Sequence, residues 1–396
     1  MKRLFAFMLL FIFLFSAAST VFAKNETNNE AELYSITKAE FDIDCKSAVL
    51  MEAKTGEIIF SHNENQALTP ASVTKVMTLL LVMEAIENGQ ISLDDNVSIS
   101  QNAASMGGSQ VYLEEGEIMS VRDLVKCAVI ASANDAAVAL SEHVSGSESA
   151  FVTLMNKRAR ELGMNNSCFE NTTGLDDTTE KHLISALDIA IMSRELLKHG
   201  LILEYSSLWQ DTIRNGEFTL TNTNRLVRYY DGCNGLKTGS TDKAGYCISA
   251  TAKREDMQLI AVVMGAKTRD SRNAIARSLL DFGFANYALY TEQEEALEDV
   301  KVYGGNMHTV KVYSSEFAKL IDKNYKNKVE KYFEIPDYIS APLKSGDAVG
   351  NIKYMISGKV LAEEKIYVKC DIEKIGVSDL FYGILRTAFT GRFNDE

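Results

Sequence analysis

Ser72 and Lys75 stand three residues apart behind Pro70, at the head of the long apolar run VMTLLLVMEAI. On a helix that spacing puts both side chains on one face. A serine hydroxyl needs a base before it can attack a carbonyl carbon. A lysine amine is normally protonated, with a reference pKa of about 10.4, so Lys75 can act only where its surroundings hold it neutral. Burial and a second nearby cation both favour the neutral form. A helix N-terminus also favours negative charge developing at Ser72. The pair therefore points to a serine nucleophile with a lysine base.

Two shorter patterns could complete such a site. In IASANDAA, Ser132 and Asn134 lie between two helical stretches. Ser132 can relay a proton and Asn134 can hold a substrate amide, although helix capping is the commoner role for such a serine. In GLKTGSTDKAGYC, Lys237, Thr238 and Gly239 open a strand. Lys237 supplies positive charge for a carboxylate and for holding Lys75 neutral, Thr238 offers that carboxylate a hydroxyl, and Gly239 permits close backbone approach. Each pattern has decoys. Ser35 and Lys38 repeat the first in a polar lead-in and read as surface residues. Ser61-x-Asn63, Ser100-x-Asn102 and Ser271-x-Asn273 repeat the second, and Lys54-Thr55-Gly56 repeats the third as a hairpin turn. Only the ordered set, on helix, inter-helix loop and strand, is specific.

The elements that must position these residues are legible in outline. CKSAVLMEAKTGEIIFSHN reads as a β-hairpin, and the run after Ser72 as a buried helix ending near Asn88-Gly89. Ser120 with Asp123 caps a helix over VRDLVKCAVIAS. Further helices fit NDAAVALSEHV, ESAFVTLMNKRARELG and SALDIAIMSRELLKHG. Strands fit EFTLTNTN, GLKTGSTDKAGYCISATAKR and MQLIAVVMGA, and RDSRNAIARSLLDFGFANY returns to helix. A helical cluster framed by strands at both ends is an α/β layered arrangement. The acidic run EQEEALED marks a boundary, giving a first domain over residues 33–291 and a small all-β domain over 295–374. In the tail, residues 376–396, Val377, Leu380, Phe381, Ile384, Leu385, Ala388 and Phe389 recur at helical spacing. It reads as an amphipathic helix lying on a membrane surface, with packing on the β domain as the alternative.

The 396 residues are 46% apolar and 24% charged, with a formal charge of −13, which argues against a nucleic-acid partner. Residues 1–23 have a positive start, an apolar run and small residues at Val21-Phe22-Ala23, the pattern of a cleaved secretory signal peptide. Its removal takes Lys2 and Arg3 and shifts the charge from −13 to −15. A polar linker, residues 24–32, follows. Six cysteines at irregular spacing, with no C-x-x-C, read mostly as single buried thiols. Five scattered histidines give a metal site little support.

The ordered trio resembles that of penicillin-binding proteins and class A β-lactamases. With PASVTKVMT, SANDAA, KTGSTDKAGYC and ENTTGLDDTTEKHLISALDIA, the chain looks like a low-molecular-weight penicillin-binding protein, a D-alanyl-D-alanine carboxypeptidase. The resemblance implies a transpeptidase-like fold, an antiparallel sheet with flanking helices and a helical cluster, followed by the β domain. It implies Ser72, Lys75 and Ser132 as catalytic, and Asn134, Lys237, Thr238, Gly239, Ser240 and Arg272 as substrate-binding. Ser240, which some relatives replace with histidine, contributes its backbone N–H to an oxyanion hole with that of Ser72. Arg272 joins Lys237 and Thr238 on the carboxylate, while His182 and Asp188 are structural. The implied partners are peptidoglycan stem peptides and, as covalent inhibitors, β-lactam antibiotics, with no metal or organic cofactor. The implied place is the outer face of the cytoplasmic membrane of a bacterium. The alternatives are a class A-like β-lactamase, which lacks here its E-x-x-L-N pattern, and a non-catalytic wall-binding protein of the same fold.

Overall fold

The computed structural model describes residues 43–177 and 179–390. The expected signal peptide, the linker and the Ser35–Lys38 decoy lie outside the described residues. The chain divides into two compact units between Tyr287 and Ala288, a few residues before the acidic run.

In the first unit, the hairpin strands Ser47–Glu52 and Ile58–His62 join three later strands. Across the sheet the order is Ile58–His62, Ser47–Glu52, Met257–Ala266, Gly245–Arg254 and Cys233–Thr241, every neighbour antiparallel. Val49 and Met51, paired with Val262 and Ile260, face the helical cluster and share its core with Val76, Leu80 and Ile189. Leu50 and Leu259 face the other way, under the helix Arg269–Asn286. A Cβ on Gly283 of that helix would lie 2.4 Å from Leu259 and 3.2 Å from Leu50. Covered on both faces, residues 48–51 and 259–264 are continuously apolar rather than alternating.

The helix after Ser72 is apolar on nearly every side and is buried accordingly. It begins one turn later than its pattern suggests. Ala71–Thr74 is a 3-10 turn and Lys75–Glu87 is the α-helix. Ser120 accepts the Asp123 N–H at 3.1 Å and caps Val121–Lys126. That helix then widens into a π turn, Cys127–Ala131, ending on Ser132 in the left-handed region at φ 64°. The helices Asn134–Ser145, Glu148–Glu161 and Ala186–Leu196 follow as expected. One strand differs. Phe218–Thr221 forms, but as a two-stranded ribbon with Gln210–Ile213, outside the main sheet.

The second unit holds a six-stranded sheet, ordered Val329–Glu334, Ala348–Ile356, Lys359–Val368, Thr309–Ser314, Ala296–Tyr303 and Tyr338–Ser340, with the last pair parallel. Val312, Ile352, Ile366 and Val368 form its core, where Phe317 stacks on Tyr354 at 4.0 Å. The short strands Phe317–Asp322 and Tyr338–Ser340 carry no strong sequence pattern and were not expected. The tail is a helix, Val377–Thr390. Its Val377, Phe381, Ile384 and Phe389 are 88, 61, 63 and 85% exposed, so packing on the β domain does not cover them.

All six cysteines are free. The expectation that most are buried needs correction. Cys127, Cys233 and Cys247 are buried, Cys45 is half-buried, and Cys168 and Cys370 are exposed. Burial pushes the Cys233 and Cys247 thiols up to about 11, which makes them poor nucleophiles.

Candidate active site

The 3-10 turn that carries Ser72 meets the edge strand Cys233–Thr241. A Cβ on Gly239 would lie 2.7 Å from the Ser72 nitrogen and 2.9 Å from the Val73 nitrogen. Glycine is therefore needed first for the turn that carries Ser72. Between turn and strand opens a cleft of about 430 Å³, lined by Ser72, Ser132, Thr238, Gly239, Ser240 and Arg272. The other three expected residues, Lys75, Asn134 and Lys237, are buried behind its wall, at 0, 2 and 1% exposure.

Lys75 Nζ lies 3.0 Å from Ser72 Oγ, 2.5 Å from Asn134 Oδ1 and 2.9 Å from the Thr173 carbonyl. Two of these neighbours can only accept. A neutral amine donates one N–H to each and keeps its lone pair for the Ser72 proton. The surroundings favour that form. Burial drives the Lys75 pKa well below its ordinary value and the Lys237 charge drives it further, while Asp135 opposes both. Asp135 is itself occupied, accepting the Val111, Leu113 and Ala136 N–H groups.

Asn134 differs from its expected role. Its Oδ1 is taken by Lys75 and its Nδ2 donates to the Gly107 carbonyl at 2.6 Å, so the amide faces inward rather than toward a substrate. A buried amide must find its partners locally, and these are the ones within reach.

The Asn171–Leu175 turn supplies the rest of the cradle. Asn171 Oδ1 accepts the Thr173 and Gly174 N–H groups, its Nδ2 donates to the Leu175 carbonyl, and the turn thereby presents the Thr173 carbonyl to Lys75. His182 pins the Ser72 turn from behind. Its Nδ1 accepts the Glu170 N–H, leaving Nε2–H to donate to Thr74 Oγ1 at 2.7 Å, and Thr74 donates to the Ala71 carbonyl. Burial holds this imidazole neutral, down to about 4. Asp188 accepts from the Asn166 N–H and the Ser167 hydroxyl, away from the cleft lining.

At the far end, Lys237 Nζ donates to the Thr238 carbonyl, and the Thr238 hydroxyl donates to Thr223 Oγ1 at 2.8 Å. Arg272 is anchored on Asn273 Oδ1 through Nε and Nη2, at 3.1 and 2.9 Å. No carboxylate lines the cleft among the described residues, so no negative charge in the lining would oppose a bound anion.

The chain is similar to known proteins. Residues 33–268 match the D-alanyl-D-alanine carboxypeptidase family, and residues 284–374 match the domain described as Penicillin-binding protein 5, C-terminal domain. The chain belongs to the D-alanyl-D-alanine carboxypeptidase family. It is 42% identical over 383 residues to D-alanyl-D-alanine carboxypeptidase DacF of Bacillus subtilis (strain 168), covering 95% of this chain and 96% of that one. Penicillin binding protein 5 from Haemophilus influenzae superposes with a TM-score of 0.75 at 31% identity, over 85% of this chain and 99% of that chain. Penicillin-Binding Protein D2 from Listeria monocytogenes, solved in an ampicillin-bound form, superposes with a TM-score of 0.57 at 31% identity, over 62% of this chain and 99% of that chain.

Within this carboxypeptidase-family site, sequence reading missed the Thr173 carbonyl, Thr223, Trp209, Arg225 and Arg269. Apart from Thr173, none sits in a short motif. The signal for Thr173 was the N-x-x-G-L segment, whose glycine fixes the turn.

Lys237 adds a pH dependence. Burial, and then the Arg272 charge, lower its pKa to about 7. Only its charged form could attract a carboxylate, and that form is lost as pH rises through the folded pKa. The penicillin acylation constant of the free enzyme should therefore fall on an alkaline limb beginning near 7. Lys237→Arg keeps the charge and should move that limb upward. A rate profile flat from pH 6 to about 9 in the wild type would contradict this role.

Proposed function

We propose that this chain is a serine-type carboxypeptidase that removes the terminal D-alanine from peptidoglycan stem peptides ending in D-Ala-D-Ala. The single observation that carries the reading is Ser72 Oγ at 3.0 Å from a buried lysine amine driven toward neutrality. Lys75 takes the Ser72 proton, and Ser72 Oγ bonds to the carbonyl carbon of the penultimate D-alanine. The N–H groups of Ser72 and Ser240 hold the oxyanion. Cys233–Thr241 is an edge strand, so alternate N–H groups point away from the sheet, which supports that assignment for Ser240. The C–N bond then breaks, Ser132 passes a proton to the leaving amine, and water hydrolyses the Ser72 ester. Lys237, Thr238 and Arg272 hold the departing carboxylate. Asn134 acts on Lys75, and contact with a substrate amide requires its Nδ2 to leave Gly107.

A β-lactam would acylate Ser72 in the same way. Among the described residues no carboxylate lines the cleft to serve the glutamate-assisted deacylation of class A β-lactamases, which supports a long-lived acyl-enzyme. Mass spectrometry of the intact protein after penicillin, with the adduct mapped, tests the reading together with D-alanine release. An adduct away from Ser72, or release no greater than from Ser72→Ala, refutes it.

We also propose export to the outer face of the cytoplasmic membrane, with Val377–Thr390 lying on the lipid. The uncovered apolar side chains support this, and no described helix is long and apolar enough to cross a membrane. A chain truncated after residue 376 should lose flotation with lipid vesicles while keeping full penicillin acylation. Equal flotation of both chains would refute the anchor.

A further inference from the structure

Charge at the carboxylate end of the cleft is of one sign. Arg225 and Arg269 line the cleft beside Arg272. Arg225 also lines a neighbouring pocket with Arg277, Tyr229 and Asp270. Arg228 lies over the ring of Trp209, a cleft-lining residue, at 5.3 Å, and over Tyr229 at 5.5 Å. Arg225, Arg228, Arg269 and Arg277 are all exposed. Among the described residues none of the four forms an ion pair, and Asp270 pairs with none of them. Four other arginines are ion-paired, Arg122 with Asp94, Arg158 with Glu84 and Glu195, Arg214 with Glu117, and Arg254 with Asp231, whereas Arg160 and Arg194 form no ion pair among the described residues. Unpaired guanidinium groups thus gather beside one end of one cleft, in a chain whose formal charge is −13. The field of two of them reaches the site, since the charges of Arg269 and Arg225 both act on Arg272.

We propose that Arg225, Arg228, Arg269 and Arg277 form a capture rim that draws carboxylate-terminated ligands to the Thr238–Arg272 end of the cleft before contact. The proposal rests on the reading of Ser72 as the nucleophile. A small anion approaching this acidic chain meets net repulsion everywhere except where uncompensated cations outweigh it. Such a local excess raises encounter rates and is screened by salt. Aromatic stacking holds Arg228 in place without neutralising it, as a carboxylate partner would. Arg228 and Arg277 need not touch the ligand, because their contribution acts through space.

The test uses the full chain and a fluorescent penicillin, whose single carboxylate is ionised at neutral pH. The second-order acylation constant is measured from about 20 mM to 500 mM NaCl, across which the Debye length shrinks severalfold. The wild-type constant should fall steadily with salt. Arg277→Gln should lower it about 3-fold at low salt, and Arg277→Glu about 10-fold, the scale of through-space steering. Both variants should converge on the wild-type value at high salt, and deacylation should be unchanged throughout. A structural defect at Arg277 would give the same ratio at every salt concentration, so a constant ratio overturns the proposal. So does a salt-independent wild-type constant. A wild-type chain that does not acylate at all overturns instead the assignment of Ser72.

Discussion

Replacing Lys75 with methionine should lower penicillin acylation by about 10³-fold, the range expected when a general base is removed from an unactivated serine. Methionine fills similar space without burying an amine, although it leaves Asn134 Oδ1 and the Thr173 carbonyl without their donor. Those two groups should cost about 1–3 kcal/mol each, so a thermal melt must accompany the rate. A variant that melts cooperatively and acylates within about 10-fold of wild type would show that something other than Lys75 takes the Ser72 proton. Arginine cannot rescue the position, because its guanidinium does not surrender a proton at working pH.

Gly174→Ala should be the most damaging single-methyl change in the site. The added Cβ would lie 1.8 Å from the Ala71 carbonyl oxygen and 2.7 Å from Thr74 Oγ1, on a backbone held at φ +84°. Overpacking against main chain and the left-handed backbone together should cost about 3 kcal/mol. Activity should fall too, since the same turn presents Thr173 to Lys75 and backs the residue before Ser72. Gly146→Ala is the matched control, with φ +78° and nothing within 4 Å of its Cβ. It should cost only about 1 kcal/mol, the backbone penalty alone. Denaturant melts of the two variants measure the difference, and equal losses would mean that the turn relaxes away from Ala71.

Ser72, Lys75, Ser132 and the Lys237–Ser240 strand were legible because each combines a chemical side chain with a local signal: a proline and an apolar helix, a boundary between helices, a glycine in a strand. The hairpin and the long helices were legible from their hydrophobic pattern. What escaped was set by contacts between distant segments. Asn134 turned inward because Gly107 and Lys75 reach it first, and no spacing around residue 134 encodes that. The Thr173 carbonyl is a main-chain atom, invisible to any reading of side chains. The ribbon Gln210–Thr221 carries strand-like residues whose choice of partner depends on packing. The left-handed backbone at Ser132 has no glycine or asparagine to announce it.

The close meeting of Gly239 with the Ser72 turn has a bearing on biogenesis. Nucleophile and receiving strand come from opposite ends of the first unit, so the reactive centre depends on long-range contacts of the kind that form slowly. A covalent antibiotic tag therefore reports more than chemistry. During refolding, its uptake should lag the recovery of helical signal, marking the moment at which the two halves of the chain have docked.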